Sequence, residues 1–286
     1  VSKTWKDKVN TSSSGSNKSV SFNTKHTLTL IPAFANKDHS AMMMGRFELT
    51  SGSSNSQSTS AYGLPSTGSV IVSPTAGMID TPSSGFSQWR SMYYTFSGHY
   101  AYKGRYVADL TLRVDGTTKF GPGNRWGYFP SVSLKWIISD EPWMQKLKPL
   151  LSMFAIRPSW GLNGSQPGQN YLYTSKYGST SRYIDMAAMK PLNIRLSDLR
   201  WEQIQSYNFG IDVGLFDGKL NLTLEGYQST RSDMLLGGFH IPSNSGFSTV
   251  PTHNDGKMRN TGWEFHINTN QLIKAGKFRM DMNVTT

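Results

Sequence analysis

Residues Tyr93 to Ser139 read YYTFSGHYAYKGRYVADLTLRVDGTTKFGPGNRWGYFPSVSLKWIIS, and taken two at a time they separate into an oily and a wet set. Tyr94, Phe96, Tyr100 and Tyr102 fall on one side, with Ser97 and His99 opposite. After Lys103-Gly104 the pattern restarts: Tyr106, Ala108, Leu110, Leu112 and Val114 against Arg105, Asp109, Thr111 and Arg113. A third run sets Val132, Leu134, Trp136 and Ile138 against Ser131, Ser133 and Lys135. Side chains alternate faces along a strand, so the stretch predicts three strands, each with one apolar and one polar-to-charged face.

Outward from this stretch the same grammar repeats. Val20 to Phe34 and Ala41 to Thr50 alternate, with a turn at Asn36 to His39. Ser51 to Ser87 is rich in Ser, Gly, Pro and Thr and reads as a long loop, as do Asp115 to Arg125, Leu162 to Leu199 and Leu235 to Asp255. Asp140 to Leu147 reads as a short helix or capped turn, and Leu150 to Gly161 as a strand containing Pro158, which removes a ladder donor and predicts a local irregularity. Tyr207 to Leu215 and Leu220 to Tyr227 flank an Asp217-Gly218 turn and form the clearest hairpin. Arg259 to Thr269 is a further strand, and a last one begins at Phe278. The pattern is strand, short turn, strand, long loop, with about ten or eleven strands and no helix beyond two turns.

Composition narrows the chemistry. Without Cys there are no disulfides, thiolate metal sites or Cys nucleophiles. The net charge of +11 is spread singly over the polar sides of strands, not in the runs that bind nucleic acid. The six His show no metal-ligand spacing, no Gly-rich phosphate loop follows a strand, and nothing fixes Asp109 and Asp212 as a catalytic pair. Neither an enzyme nor a bound cofactor or metal is expected. No apolar run of 18 residues is present, which excludes a transmembrane helix but not a membrane β-barrel. The opening Val1-Ser2-Lys3-Thr4-Trp5 lacks an apolar leader, and strand-like patterns run close to both ends, so a piece of a larger protein is expected.

Alternation alone leaves two architectures open. In a β-sandwich the oily face meets a core; in an outer-membrane barrel it meets lipid and the wet face lines a lumen. Strands of about ten residues, loops alternating short and long, and aromatics near strand ends (Tyr100, Tyr102, Tyr106, Trp126, Tyr128, Trp160, Trp263) favour the barrel. The expected fold is all-β: an antiparallel transmembrane β-barrel, partial, with about 10–11 strands of a larger barrel and long extracellular loops. A soluble carbohydrate-binding or adhesive sandwich is the alternative.

Four separated segments carry a more specific signal. Arg105-Tyr106, then Arg113-Val114-Asp115-Gly116-Thr117-Thr118-Lys119-Phe120, then Asn124 to Ser131 (NRWGYFPS) resemble the SusC/RagA-like TonB-dependent transporters, and Trp136, Ser139, Glu141 and Pro142 continue the pattern. Arg157 to Gly161 with Asn163-Gly164, Trp201-Glu202 with Asn208 to Asp212, and Gly256 to Phe265 (GKMRNTGWEF) extend it in order over residues 90 to 286. Thr117-Thr118-Lys119 stands where the family has Ser-Ser-Arg, and Lys135 replaces a family Gly. The resemblance implies that residues 1–286 form part of a TonB-dependent receptor barrel domain, with the plug domain absent from this chain. It further implies import of an oligosaccharide or peptide solute beneath a SusD-like surface lipoprotein, driven by the TonB-ExbB-ExbD complex through a missing N-terminal region, within outer-membrane lipids. A passive porin is the alternative within transport; no nucleic-acid partner is expected.

Three residue sets follow as expectations. Arg113, Asp115, Gly116, Phe120, Trp126, Gly127, Pro130, Gly262 and Trp263 are structural positions of the family motifs; Arg113, Asp115 and Lys119 are expected to pair in the turn. The wet-face residues Arg105, Asp109, Lys135, Arg157, Asp212, Glu225, Glu264, His266, Arg279 and Asp281 would line the lumen. Loop aromatics Tyr62, Phe86, Trp89, Tyr171, Tyr173, Tyr177, Tyr183, Phe239 and Phe247 would touch solute or lid, or cover small loop cores.

Overall fold

A computed structural model describes residues 10–64, 73–80, 82–179, 189–247, 249–270, 273–275 and 278–285. The long strands are β1 (Ser12–Leu30), β2 (His39–Tyr62), β4 (Ser83–Tyr102), β5 (Tyr106–Thr117), β6 (Trp126–Ile137), β7 (Leu151–Ser165), β10 (Glu202–Leu215), β11 (Leu220–Ser232) and β14 (Lys257–Thr269). Short strands punctuate the connections: β3 (Met78–Ile79), β8 (Tyr177–Ser179), β9 (Met189–Pro191), β12 (Leu235–Leu236), β13 (His253–Asn254), β15 (Ile273–Ala275), β16 (Phe278–Met280) and β17 (Asn283–Thr285). One sheet runs β1-β2-β4-β5-β6-β7-β10-β11-β14-β17, with β3 paired to β2; the ladder from β5 to β17 and the β2–β3 pair are antiparallel, and among the described residues the two ends of the sheet are not joined. The chain packs as two units: Val1–Thr24 with Leu49–Ser91, and Lys25–Glu48 with Met92–Thr286.

In the larger unit, register keeps the oily set together. Tyr106↔Trp136, Ala108↔Leu134 and Leu110↔Val132 pair across β5 and β6; Ile211↔Leu224 and Val213↔Leu222 across β10 and β11; Leu222↔Ile267 and Leu224↔Phe265 across β11 and β14. This face is exposed: Leu110 is 58% and Trp263 72% accessible. A face of paired Leu, Val, Phe and Trp left open to solvent on this scale is the signature of a surface that meets lipid.

At one end the connections are tight. Lys103 and Gly104 both have positive φ, closed by Arg105 N–H donating to Tyr102 O at 3.0 Å, a type I′ hairpin turn. Phe216, Asp217 and Gly218 also take positive φ before Lys219. Asp140 to Leu147 forms two 3-10 turns, Ile138–Asp140 and Pro142–Leu147. At the same end an aromatic row runs Phe34, His39, Tyr102, Tyr106, Trp136, with successive ring centroids 5.0 to 6.2 Å apart. Aromatics that are oily on one side and polar at the tip sit at membrane interfaces. Trp126 and Tyr128 belong to the opposite end, whereas Trp160 and Trp263 fall within the middle of β7 and β14, not at strand ends.

The strands outrun their sequence signal in several places. Ser51 to Ser87 is not one loop: β2 continues through Tyr62 and β4 starts at Ser83. Serine and glycine are poor strand formers, but ladder pairing outweighs that preference. In the smaller unit, Ser54 Oγ donates to Asn17 and accepts from Ser19, each at 3.3 Å. The last strand is broken: β16 pairs with β15, while β17 pairs with β14. Between them, Met282 N–H donates to Thr269 Oγ1 at 2.6 Å. At Pro158 the ladder to β10 is continuous, with Phe209↔Pro158 in register. The ladder to β6 skips from Ser133↔Ser159 to Trp136↔Ile156 without a change of register, an interruption and not a bulge.

Candidate functional site

The wet set forms the opposite face, and its centre is one arginine. Arg157, on β7, sends Nε and Nη2 to the two oxygens of Asp212 at 2.7 and 3.0 Å, and Nη2 also reaches Glu225 at 2.7 Å. It therefore spans three strands: β7, β10 and β11. The residue it crosses is Gly210, whose added Cβ would lie 3.1 Å from the guanidinium. A glycine inside a strand marks such a close approach. Thr223 donates to Asp212 at 3.2 Å. Glu225 sits directly opposite Glu264, and Thr223 opposite His266. His266 Nε2 lies 4.0 Å from Glu264. Like charges across a strand pair repel, so Arg157 holding Glu225 relieves the Glu225–Glu264 pair. Further along the sheet, Asp109 meets His99 at 2.6 Å, and Lys135 stands opposite Val107 on the same face.

Of the remaining wet-face candidates, Arg105 sits at the short-turn end, not along the wall. Its Nη1 donates to Glu141 at 2.8 Å and to Asp140 O at 3.4 Å. The same carboxylate accepts from the Tyr106 hydroxyl at 2.5 Å and from Trp136 Nε1 at 3.0 Å. Three donors on one buried carboxylate clamp β5, β6 and the 3-10 turn together, and the Tyr106 and Trp136 bonds hold its pKa below the usual carboxylate value. Asp281 lies exposed in the link between β16 and β17. The Arg279 side chain is outside the described residues.

The motif positions share one device, an aromatic ring laid flat over a glycine on the neighbouring strand. Trp126 lies over Gly116 and Trp263 over Gly226, where an added Cβ would come within 2.6 Å of the ring; Tyr227 lies over Gly262 at 2.7 Å. Phe129 covers Gly164 of β7 in the same way, and also Gly127 of its own strand. Pro130 pairs with Leu112 on the apolar face. Arg113 Nε donates to Asp115 at 2.7 Å, and Lys119 Nζ donates to Pro167 O at 3.0 Å. Burial lowers the pKa of Lys119.

At the long-loop end, Phe129, on the wet-face register of β6, joins Phe120, Leu172, Leu199 and Trp201 in a buried cluster. The connection after β7 thus folds over the wet side of the wall. Tyr173 packs beside Gly121, and Tyr171, at positive φ, carries Lys176 5.7 Å from its ring centre. Tyr177 is exposed on β8, and Phe239 is exposed beside His253. Phe247 is half-buried. Tyr62, Phe86 and Trp89 lie in β2 and β4 instead of a loop, with Trp89 over Gly52. Tyr183 lies outside the described residues. The family-like motifs included Gly210 and Trp201 without giving either a role, and Tyr227, Leu172 and Leu199 were not singled out. The Gly210 signal was present as a glycine in a long alternating run; the cluster was hidden in an aperiodic loop.

Among the described residues no group of three His, Cys, Asp or Glu is placed to hold a metal, and no helix is long and apolar enough to cross a membrane. What the geometry defines is a membrane wall: one face for lipid, the other polar, charged and capped by inward-packed loops.

The family model described as TonB dependent receptor-like, beta-barrel matches residues 2–286, and the chain belongs to that family. It is an outer-membrane β-barrel chain of a Gram-negative bacterium, which sets the soluble sandwich aside. It is 30% identical over 198 residues to TonB-dependent receptor SusC of Bacteroides thetaiotaomicron, an overlap covering 65% of this chain and 19% of that protein. It is 32% identical over 168 residues to a TonB-dependent receptor of Formosa agariphila, covering 59% and 16%. The chain thus spans about a fifth or less of the curated relatives it matches. Its fold superimposes on the RagAB peptide importer in its closed-closed state with a TM-score of 0.78 at 21% identity, covering 93% of this chain and 29% of that one.

Proposed function

We propose that the chain is part of the barrel of a SusC-like importer that takes up an oligosaccharide or peptide with TonB energy and a SusD-like surface lipoprotein. The observation that supports this most is the two-faced wall, whose polar side carries the Arg157–Asp212–Glu225 network while its other side is apolar. The charged set braces the lumen and meets the plug; the loop aromatics Tyr177 and Phe239, both exposed, are the solute- and lid-contacting groups of this reading. No residue here is assigned a catalytic role. The RagAB peptide importer, by its name, supports the peptide class.

The test is uptake by cells carrying the full-length protein, with labelled oligosaccharide and labelled peptide mixtures, in strains with and without a functional TonB complex. Energised accumulation that disappears without TonB is expected. Uptake that persists unchanged without TonB would establish the passive porin.

A further inference from the structure

The lipid-facing surface is not uniformly filled. One cavity of about 470 Å³ is walled by Trp160, Tyr207, Phe209 and Trp263, and another of about 510 Å³ by Tyr106, Trp136 and Ile156; Leu134 and Pro158 line both. Register explains the trough. One row crosses six strands as Ala108, Leu134, Pro158, Phe209, Gly226 and Trp263, through the pairs Ala108↔Leu134, Phe209↔Pro158, Phe209↔Gly226 and Gly226↔Trp263. Two of its members, Ala108 and Pro158, project little side chain, and the Trp263 indole lies over Gly226. The rows on either side are bulky: Tyr106, Trp136 and Ile156 on one, Val132, Trp160 and Tyr207 on the other.

We propose that this trough is a binding groove for one acyl chain of a phospholipid of the periplasmic leaflet, its headgroup toward the Tyr106–Trp136 row at the short-turn end. The surface is continuous with the face that meets the bilayer, and both cavity linings are overwhelmingly apolar. The flanking rows are four residues apart along each strand, roughly 13 Å at the strand rise. Indole and phenol rings on both sides narrow that gap, so a single hydrocarbon chain fits and a helix roughly 10 Å across does not. Leu134 and Pro158, which line both cavities, join them into one floor. Short turns are the periplasmic side of such barrels, which places the aromatic row at the inner-leaflet headgroups. This inference rests on the membrane placement and not on the import reading.

Native mass spectrometry of the full-length protein, exchanged into detergent with palmitoyl-oleoyl phosphatidylethanolamine, tests it. One lipid per chain is expected to survive collision energies that strip the others. Ala108→Trp with Pro158→Phe fills the trough and should cut that retention at least tenfold, while Leu112→Phe, also lipid-facing but a row beyond the groove wall, should not. Equal retention in the filled variant, or no retained lipid in the wild type, overturns the proposal. Should the double variant fail to assemble, quenching by brominated-chain phosphatidylethanolamine decides. Trp160→Phe should then remove more of the quenching than Trp143→Phe, and equal losses reject the groove. A protein-sized adduct from a photo-crosslinker at Val132, in place of a lipid adduct, also rejects it.

Discussion

Glycine is the residue on which this sheet's specificity rests. Trp263 can lie across β11 only because Gly226 leaves the space, and Trp126 across β5 only because of Gly116. Gly226→Val should therefore force the indole off the strand and cost roughly 1–3 kcal/mol, the scale of overpacking, read by equilibrium unfolding from vesicles. Gly45→Ala meets no atom within 4 Å and should be neutral or slightly stabilising, the matched control. Gly210→Val should push the Arg157 guanidinium off Glu225, seen as loss of assembly yield that Gly210→Ala largely spares. Glu141 gives a pH signature. Its pKa is held low in the folded chain, so the proton favours the unfolded state. Its contribution is complete above the unfolded value of about 4.3 and fades as pH falls through the lower folded value. Glu141→Gln should lower the melting temperature at neutral pH, and the gap to wild type should close on acidification. These glycines stood in the sequence within strand patterns, but their ring partners were legible only once register was known. A glycine names a close approach without naming what approaches.

At the scale of the strand, the two faces make opposite demands on the same substitution. Leu224→Arg, paired with Ile211 and Phe265 on the lipid side, should cost about 2–4 kcal/mol near the bilayer midplane. Thr223→Arg, one residue away and beside Asp212, should be tolerated, because the new cation meets a carboxylate already in place. The heat-modifiable band on a gel reports both; equal loss would refute the facing of β11. Alternation at Tyr106 to Val114 and Tyr207 to Leu224 was readable because one side is consistently oily. The ends of β2 and β4 were not, since Ser51 to Ser60 alternates nothing against nothing. There the ladder, which sequence does not display, sets the conformation. Pro158 was read as a disruption; the structure localises it to the β6 side alone, because a missing N–H affects one neighbour and not the other.

For the molecule as a whole, the class was legible because an open apolar face, tight turns at one end and long connections at the other are jointly demanded by a bilayer. Phe120 and Trp201 stood in the family-like motifs, but their burial with Leu172 and Leu199 as one cap was not legible, since Leu172 and Leu199 lie in segments without period. Leu199→Ala, deep in that cluster at 2% exposure, should cost about 2–5 kcal/mol if the cluster folds as a unit. Its effect should appear as faster protease nicking between β7 and β10, with little change in the membrane-embedded strands.

The length of β2 carries a last consequence. Its 24 residues extend about 80 Å at the strand rise, whereas crossing the bilayer takes about ten. Much of the strand therefore stands clear of the lipid. The described residues of the smaller unit offer a trypsin-like enzyme only Lys18 and Arg90, both within strands of the sheet. With both basic residues held in the sheet, those described residues leave a trypsin-like enzyme little free backbone to grip.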